Sequence, residues 1–194
     1  MSGYTMTQNE LLYAFHGAAT TTTIATGTQS MIVGCPPIVV QGNYMTNAGS
    51  HSSSLRLKVF GLITCTATIP TFTFGVSATS AQPAAFASTN ALGTTAAITP
   101  TGTTANTPFW MDVDIGLRTL TQVASSVLVC DGEVRCPGAF ASPFSATIPA
   151  AGSSATSAFW ETDLQYFLWP YMALGTATTG NSVTVQSVKL YGEN

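Results

Sequence analysis

The chain has 194 residues, of which 45% are hydrophobic and only 7% are charged, whereas a soluble domain usually carries about 25% charged residues. Five basic and eight acidic residues give a net charge of −3, which excludes the cationic stripe that nucleic-acid phosphates require. No run reaches the roughly 18 apolar residues of a membrane span. So little charge favours a chain that works inside an assembly over a free monomer, with an uncharged secreted β-domain as the alternative.

The N-terminal part, residues 1–30, differs in composition from the rest. Residues 1–10 lack a basic segment followed by an apolar one, so we expect no signal peptide and synthesis in a cytoplasm. Residues 18–28 are nearly all Ala, Thr and Gly, which is too little apolar bulk for a core of their own. We therefore predict an N-terminal arm that becomes ordered against a neighbour, with an ordinary first edge strand as the alternative. Residues 31–194 are predicted to form one β-domain.

The clearest β pattern runs from residue 54 to residue 76. Residues 55–60 alternate apolar and polar side chains, the period of two of a half-buried strand. Further on, Phe72, Phe74 and Val76 share one face. Two aromatic rings on one strand face need the cover of a second sheet, so this stretch predicts the centre of a β-sandwich.

The next predicted strands follow long Ala, Thr and Ser segments. Residues 77–107 predict surface loops with weak strands at 85–87 and 96–99. Residues 110–117 alternate in the same way as residues 55–60, with Met111 at the start of the inward face.

Residues 125–136 contain Asp131 followed by Gly132, which is normally a hairpin signal. Every second residue from Leu128 to Cys136 is small or apolar, however, and that alternation continues unbroken through the pair. We therefore predict one long strand, with Gly132 at a point where another backbone or ring comes close.

Two more strands close the predicted domain. Residues 160–173 have apolar side chains on both faces, which predicts one strand covered by the core on one side and by a neighbouring subunit on the other. Residues 182–191 change phase, which predicts a bulge near residues 186–187. The fold class is therefore all-β: a jelly-roll-like antiparallel β-sandwich of about eight strands with long loops.

Four cysteines are expected to be free, buried thiols, because cytoplasmic synthesis disfavours disulfides. Cys130 and Cys136 lie in one predicted strand, roughly 20 Å apart, far beyond the ~6 Å Cα separation of a disulfide. A pairing of Cys35 with Cys65 stays open.

No catalytic, cofactor-binding or metal-binding residue is predicted, and the chain is not expected to be an enzyme. It lacks a nucleophile elbow, a phosphate loop, an EF-hand and a zinc motif, and we interpret His16 and His51 as surface residues. The carboxylate pairs Asp112/Asp114 and Glu161/Asp163 could bind Ca²⁺ or serve a glycosidase, since two residues of a strand span ~7 Å. The simpler interpretation is a solvated strand face, or carboxylates that pair with Arg118 and Arg135.

Several short runs resemble one family. They are CPPIVV at 35–40, LRLKVFGLIT at 55–64, IPTFTFGV at 69–76, FWMDV at 109–113, LGTA at 174–177 and GNSVTV at 180–185. Over about residues 31–194 the chain resembles small jelly-roll structural proteins of tailed bacteriophage virions. That group includes capsid decoration (cement) proteins and minor tail or head-fibre components. The resemblance implies a homotrimer on the capsid exterior that bridges subunits of the major capsid protein, and it carries over no catalytic residue.

The function expected from this resemblance is decoration and clamping of a phage head. Each contact would bury about 800 Å² per partner. A trimer that makes several such contacts at once would bind more tightly through avidity. The predicted interface anchors are Trp110, Phe167, Trp169 and Tyr171, with residues 1–30 as a strap. The alternative is a tail or head-fibre component that recognises host glycans through loops and Trp110. A carbohydrate-active or Ca²⁺-binding enzyme is a third, weaker hypothesis.

Overall fold

A computed structural model of the protein describes residues 9–16, 21–23, 29–31, 37–45, 54–65, 71–80, 91–99, 102–119, 126–136, 144–153, 156–161, 163–174 and 181–193. These ranges contain thirteen β-strands and no helix. In chain order they are β1 Asn9–His16, β2 Thr21–Thr23, β3 Gln29–Met31, β4 Ile38–Val40, β5 Ser54–Cys65, β6 Phe72–Thr79, β7 Ala91–Thr94, β8 Thr104–Thr119, β9 Ser126–Cys136, β10 Phe144–Ile148, β11 Thr156–Trp160, β12 Tyr166–Leu174 and β13 Ser182–Glu193.

The strands form two antiparallel sheets. Sheet A has the order β1-β13-β5-β8-β9-β10, with β2 also paired to β13 and β11 also paired to β9. Sheet B has the order β3-β12-β6-β7, with β4 also paired to β12. The strands β5 and β13 thus pair in one sheet while β6 and β12 pair in the other, the crossed connectivity of Greek-key sandwiches. The predicted all-β antiparallel sandwich is confirmed, and its additional strands are mostly three to five residues long.

The core lies between the two sheets and is built from alternate residues of the long strands. In β5 the burial pattern alternates along the whole strand, with Leu55, Leu57 and Val59 inside. Across the sandwich, the ring of Phe74 in sheet B lies 5.2 Å from the ring of Phe109 in sheet A. The second sheet therefore covers the aromatic face as predicted, and each fully buried side chain of this size stabilises the fold by roughly 1.5–3 kcal/mol.

Strand β9 is one uninterrupted strand from Ser126 to Cys136, so the hairpin signal at Asp131 and Gly132 is overridden as predicted. Gly132 pairs with Val113 of β8, and a Cβ at this position would collide with the backbone of Asp112 and Val113. The missing side chain lets the two backbones approach, which is the role predicted for this glycine.

The predicted bulge in the last strand is also present. The register between β13 and β5 shifts between Val185 and Ser187. Because one residue is inserted, Val183 and Val185 before the shift and Val188 after it all point into the core and are buried.

The strand predicted over residues 160–173 is instead divided into two. Strand β11 ends at Trp160 and pairs with β9 in sheet A, whereas β12 begins at Tyr166 and belongs to sheet B. The rings of Trp160 and Tyr166 stack at 3.9 Å, and the backbone N–H of Glu161 donates to the Tyr166 hydroxyl at 2.9 Å. The chain changes sheets here, between the end of β11 and the start of β12.

One other prediction needs correction. Around residues 96–99 the structure has a single bridge between Phe72 and Ile98, and the neighbouring strand β7 precedes it at Ala91–Thr94. Within the predicted N-terminal arm or edge segment, residues 9–16 form the strand β1, which pairs with β13 at the edge of sheet A. The weak strand predicted at residues 85–87 lies outside the described residues.

Candidate functional site

The predicted carboxylate pair of β8 is engaged by basic residues of the neighbouring strand. Arg56 binds Asp112 with two hydrogen bonds, Nε to Oδ1 at 2.8 Å and Nη2 to Oδ2 at 2.9 Å. Lys58 Nζ lies 3.5 Å from Asp112 Oδ2, and Arg56 Nε lies 3.7 Å from Asp114 Oδ1. These carboxylates therefore lie on a solvated strand face, but their basic partners are Arg56 and Lys58. The predicted pairing with Arg118 and Arg135 was wrong, since within the described residues no ion pair joins either of them to Asp112 or Asp114.

The two carboxylates respond differently to this arrangement. Burial alone would raise the pKa of Asp112, but the hydrogen bonds and charge of Arg56, together with Lys58, outweigh burial and lower it. For Asp114, burial raises the pKa; the charge of Arg56 opposes that effect, and nearby carboxylates reinforce it. The charge of Asp112 is thus well compensated, and that of Asp114 is the less well compensated of the two.

Metal binding finds no support in the described part of the chain. Within it, no group of three or more His, Cys, Asp or Glu side chains could hold a metal ion. Glu161 and Asp163 lie between β11 and β12 rather than on a strand face. His16 is exposed on the edge strand β1, as expected of a surface histidine, and His51 lies outside the described residues. In the same described ranges, no helix is long and apolar enough to cross a membrane.

The outward surface of β13, β5, β8 and β9, here called the outer face of sheet A, collects most of the charge of the molecule. Ten of the thirteen charged residues of the chain point from it, as the strand registers and burial patterns show. They are Arg56, Lys58, Asp112, Asp114, Arg118, Asp131, Glu133, Arg135, Lys189 and Glu193. The remaining surface is therefore almost uncharged.

Cross-strand register places like charges opposite each other on this face. Lys189 is the register partner of Lys58, and Asp112 that of Glu133. A third pair joins Asp114 and Asp131. Directly opposed like charges destabilise a sheet. Across β5 and β8 the register instead opposes Arg56 to Asp114 and Lys58 to Asp112, which compensates part of this repulsion.

Trp110 stands near the centre of the outer face of sheet A and is 43% exposed. Its ring lies 5.3 Å from that of Phe60 at an angle of 38°. It separates a shallow depression of about 440 Å³ toward Lys189 from one of about 410 Å³ toward Arg135, and Asp112 borders both. Trp110 is thus an accessible aromatic platform with hydrogen-bonding groups on either side.

The other three predicted anchors have different environments. Phe167 is partly exposed and pairs across the strands with Val39, which is 43% exposed. Trp169 and Tyr171 are only 2% and 0% exposed. Their own chain covers them, so the prediction that they are available to a partner needs correction. Tyr171 packs across its register partner Gly75, where a Cβ would lie 2.5 Å from the ring.

The cysteines of the described residues are free thiols, namely Cys65, Cys130 and Cys136, and all three are buried. This confirms the prediction for these positions and the prediction that Cys130 and Cys136 do not pair; Cys35 lies outside the described residues. Burial raises the pKa of Cys65 to about 11 and that of Cys130 to about 12. Neither thiol is activated as a nucleophile, which requires a lowered pKa.

The sequence did not reveal which residues complete the outer face of sheet A. Lys189 and Tyr191 line the depression beside Trp110, but they belong to the last strand and reach it only because β13 pairs with β5. Their alternation with buried residues indicated that they point outward, and no local signal identifies their neighbours. The partly exposed Phe60 beside Trp110 was visible only as an outward position.

No protein-family model matches the chain, and no curated protein matches it. Among solved structures, a legume lectin-like domain from Entamoeba histolytica is similar, with a TM-score of 0.31 and 10% identity over 87% of this chain and 82% of that chain. A likeness this weak carries no argument about function.

Proposed function

We propose that this chain is a structural protein of a tailed-bacteriophage virion that decorates the capsid exterior as a homotrimer and bridges subunits of the major capsid protein. The virion assignment rests on the sequence resemblance. The observation that supports an assembly role is the charge distribution: most charges lie on the outer face of sheet A, and the rest of the surface is nearly neutral. A neutral surface loses little hydration energy when a partner covers it.

The decoration mechanism is burial of surface against the shell and against other copies. Of the four predicted anchors, Trp110 and Phe167 are accessible, and they lie on different sheets. One protomer can therefore make two separate contacts at once, which is what bridging requires. Two linked contacts gain affinity through effective concentration, without either being strong alone.

Composition of purified particles tests this proposal. We expect the chain in the virion at a copy number that matches the symmetry of the shell, and recombinant protein should bind heads that lack it. Heads with the decoration should survive heat or chelator treatment longer than bare heads. Absence of the chain from particles, together with no binding to bare heads, would contradict the proposal.

A second function, glycan recognition by a tail or head-fibre component, is favoured by the surroundings of Trp110. An exposed ring between two depressions with carboxylate and ammonium groups matches the apolar and polar needs of a sugar ring. Cell-wall polysaccharide binding that is lost in Trp110→Ala and kept in Phe167→Ala would support this candidate. A few copies per particle would favour it over decoration.

A further inference from the structure

We infer that copies of this chain associate through the outer face of sheet A, with the β5–β13 half of one copy lying against the β8–β9 half of the next. The inference deepens the proposed function by naming the surface that joins the protomers of the homotrimer. It rests on cross-strand register and charge, neither of which involves the virion, so the two can be tested separately.

The outer face of sheet A is polarised across its strands. The β5–β13 half carries three cations, Arg56, Lys58 and Lys189, and one carboxylate, Glu193. The β8–β9 half carries four carboxylates and two cations, Arg135 and, at the end of β8, Arg118. One half is therefore net positive and the other net negative, with the boundary at the seam between β5 and β8.

Ion pairs within the chain compensate only some of the charges on the outer face of sheet A. Arg56 and Lys58 meet Asp112 across the seam, and Arg135 meets Glu133 along β9. Toward the margins, no ion pair within the described residues includes Lys189 or Asp131. These two residues also belong to opposed like-charge pairs, so an opposite charge supplied from outside would stabilise both margins.

A second copy supplies those charges if the symmetry axis runs along the strands. Rotation about such an axis brings the positive half of one copy against the negative half of its neighbour, in a pair or in a closed ring of three. An axis perpendicular to the strands and parallel to the sheet would instead oppose like charges. The polarity thus selects both the partner and its orientation.

The centre of the face supplies the apolar contact that an interface needs. Trp110 and Phe60 lie on the two strands of the seam, 5.3 Å apart, with the charged residues on both sides. An aromatic centre with a polar rim is the usual anatomy of a stable protein interface. Burial of Trp110 would provide affinity, and the charges would fix the register.

Charge reversal tests the inference on purified protein without particles. Lys58→Glu/Lys189→Glu makes the whole face negative, and Asp131→Lys/Glu133→Lys makes both halves positive. We expect each double variant to associate at least roughly tenfold more weakly than wild type at low salt, as measured by native mass spectrometry and light scattering. The quadruple variant inverts the polarity and keeps the net charge at −3, so association should return.

The matched control places the same charge change away from this face. Glu10→Lys/Asp163→Lys alters two exposed carboxylates elsewhere and should leave association unchanged. Circular dichroism and thermal unfolding establish that each variant is folded. Should a double variant fail to fold, Lys189→Glu and Asp131→Lys, singly and combined, repeat the design at residues without ion pairs.

Three outcomes would overturn the inference. They are a wild type that stays monomeric up to high concentration, a control that dissociates as much as the double variants, and a folded quadruple variant that stays monomeric. If wild type is monomeric and yet decorates heads, the inference and the homotrimer fail, and decoration of the capsid stands. If it forms the charge-dependent oligomer but is absent from particles, the reverse holds.

Discussion

Arg56 is the cross-strand neighbour of Asp114, but its guanidinium group forms a bidentate contact with Asp112, through Nε and Nη2. The geometry is the paired N–H to oxygen arrangement that makes arginine–carboxylate contacts strong and directional. One consequence is that two aspartates on the same strand differ in charge compensation, as their opposite pKa shifts record.

Removal of this guanidinium group should destabilise the fold in a pH-dependent way. Arg56→Ala should lower the free energy of unfolding at pH 7 by about 0.5–1 kcal/mol, a modest value because both partners are more than a third exposed. The pKa of Asp112 is lowered in the folded state, so its contribution is present above the unfolded pKa and is lost as the pH falls through the folded one.

The difference between wild type and Arg56→Ala should therefore shrink in acid, and urea unfolding at pH 7 and pH 3 measures it. Arg118→Ala is the control, since Arg118 is exposed at the end of β8 and no ion pair within the described residues includes it. An undiminished difference at pH 3 would mean that Arg56 acts by packing rather than by charge.

Gly132 and Gly116 provide a matched pair for the close approach of β8 and β9. Gly132→Ala should destabilise the protein by about 1–3 kcal/mol, because its Cβ meets the backbone of Asp112 and Val113, which cannot move aside cheaply. A Cβ at Gly116 meets nothing within 4 Å, so Gly116→Ala should be neutral or stabilise by about 0.5 kcal/mol. Chemical denaturation of both variants measures the two changes in the free energy of unfolding. Equal changes would contradict the register assigned to β8 and β9.

Fluorescence quenching can report on the three tryptophans. Trp110 is 43% exposed, whereas Trp160 and Trp169 are buried at 2%, so acrylamide should quench a single component in dilute protein. Trp110→Phe should remove that component, and Trp160→Phe should leave it. Access should also fall as protein concentration rises, if copies cover Trp110. A quenchable component that persists in Trp110→Phe would show that another tryptophan is open to solvent.

Thiol labelling should separate the native from the unfolded protein. Burial raises the pKa of Cys130 to about 12 from an ordinary value of 9, so its thiol should stay unreactive in native protein even at pH 9. The same burial favours the protonated form in the folded state, so stability is full below pH 9 and falls as the pH rises toward 12. Mass spectrometry after labelling with and without denaturant resolves the sites. Fast native labelling of Cys130 would contradict its burial.

The sequence predicts those strands that have one apolar and one polar face. The alternation in β5 and β8, the continuity of β9 through Gly132 and the phase change in β13 all follow from a period of two and the size of one residue. These are local properties. They fix which way a side chain points relative to its own strand.

What lies opposite a side chain is not local, and the predictions that needed this information were incomplete. Apolar residues on both faces of β12 led to the expectation that a neighbouring subunit covers Trp169 and Tyr171, but their own chain does so. Similarly, the pairing of β13 with β5 brings Lys189 opposite Lys58. Neither residue has a signal that identifies the other, since the pairing is decided by the whole sheet.

The pairing of β5 with β13 has a consequence for biosynthesis. Strand β5 leaves the ribosome early, yet one of its two long edges stays without a neighbour until residues 182–193 have been made. During that interval twelve residues of unpaired backbone, half of them strongly hydrophobic, are free to pair with any other nascent chain. Efficient production of this protein therefore depends on the speed with which its final segment arrives, and shortening that segment should convert soluble product into aggregate.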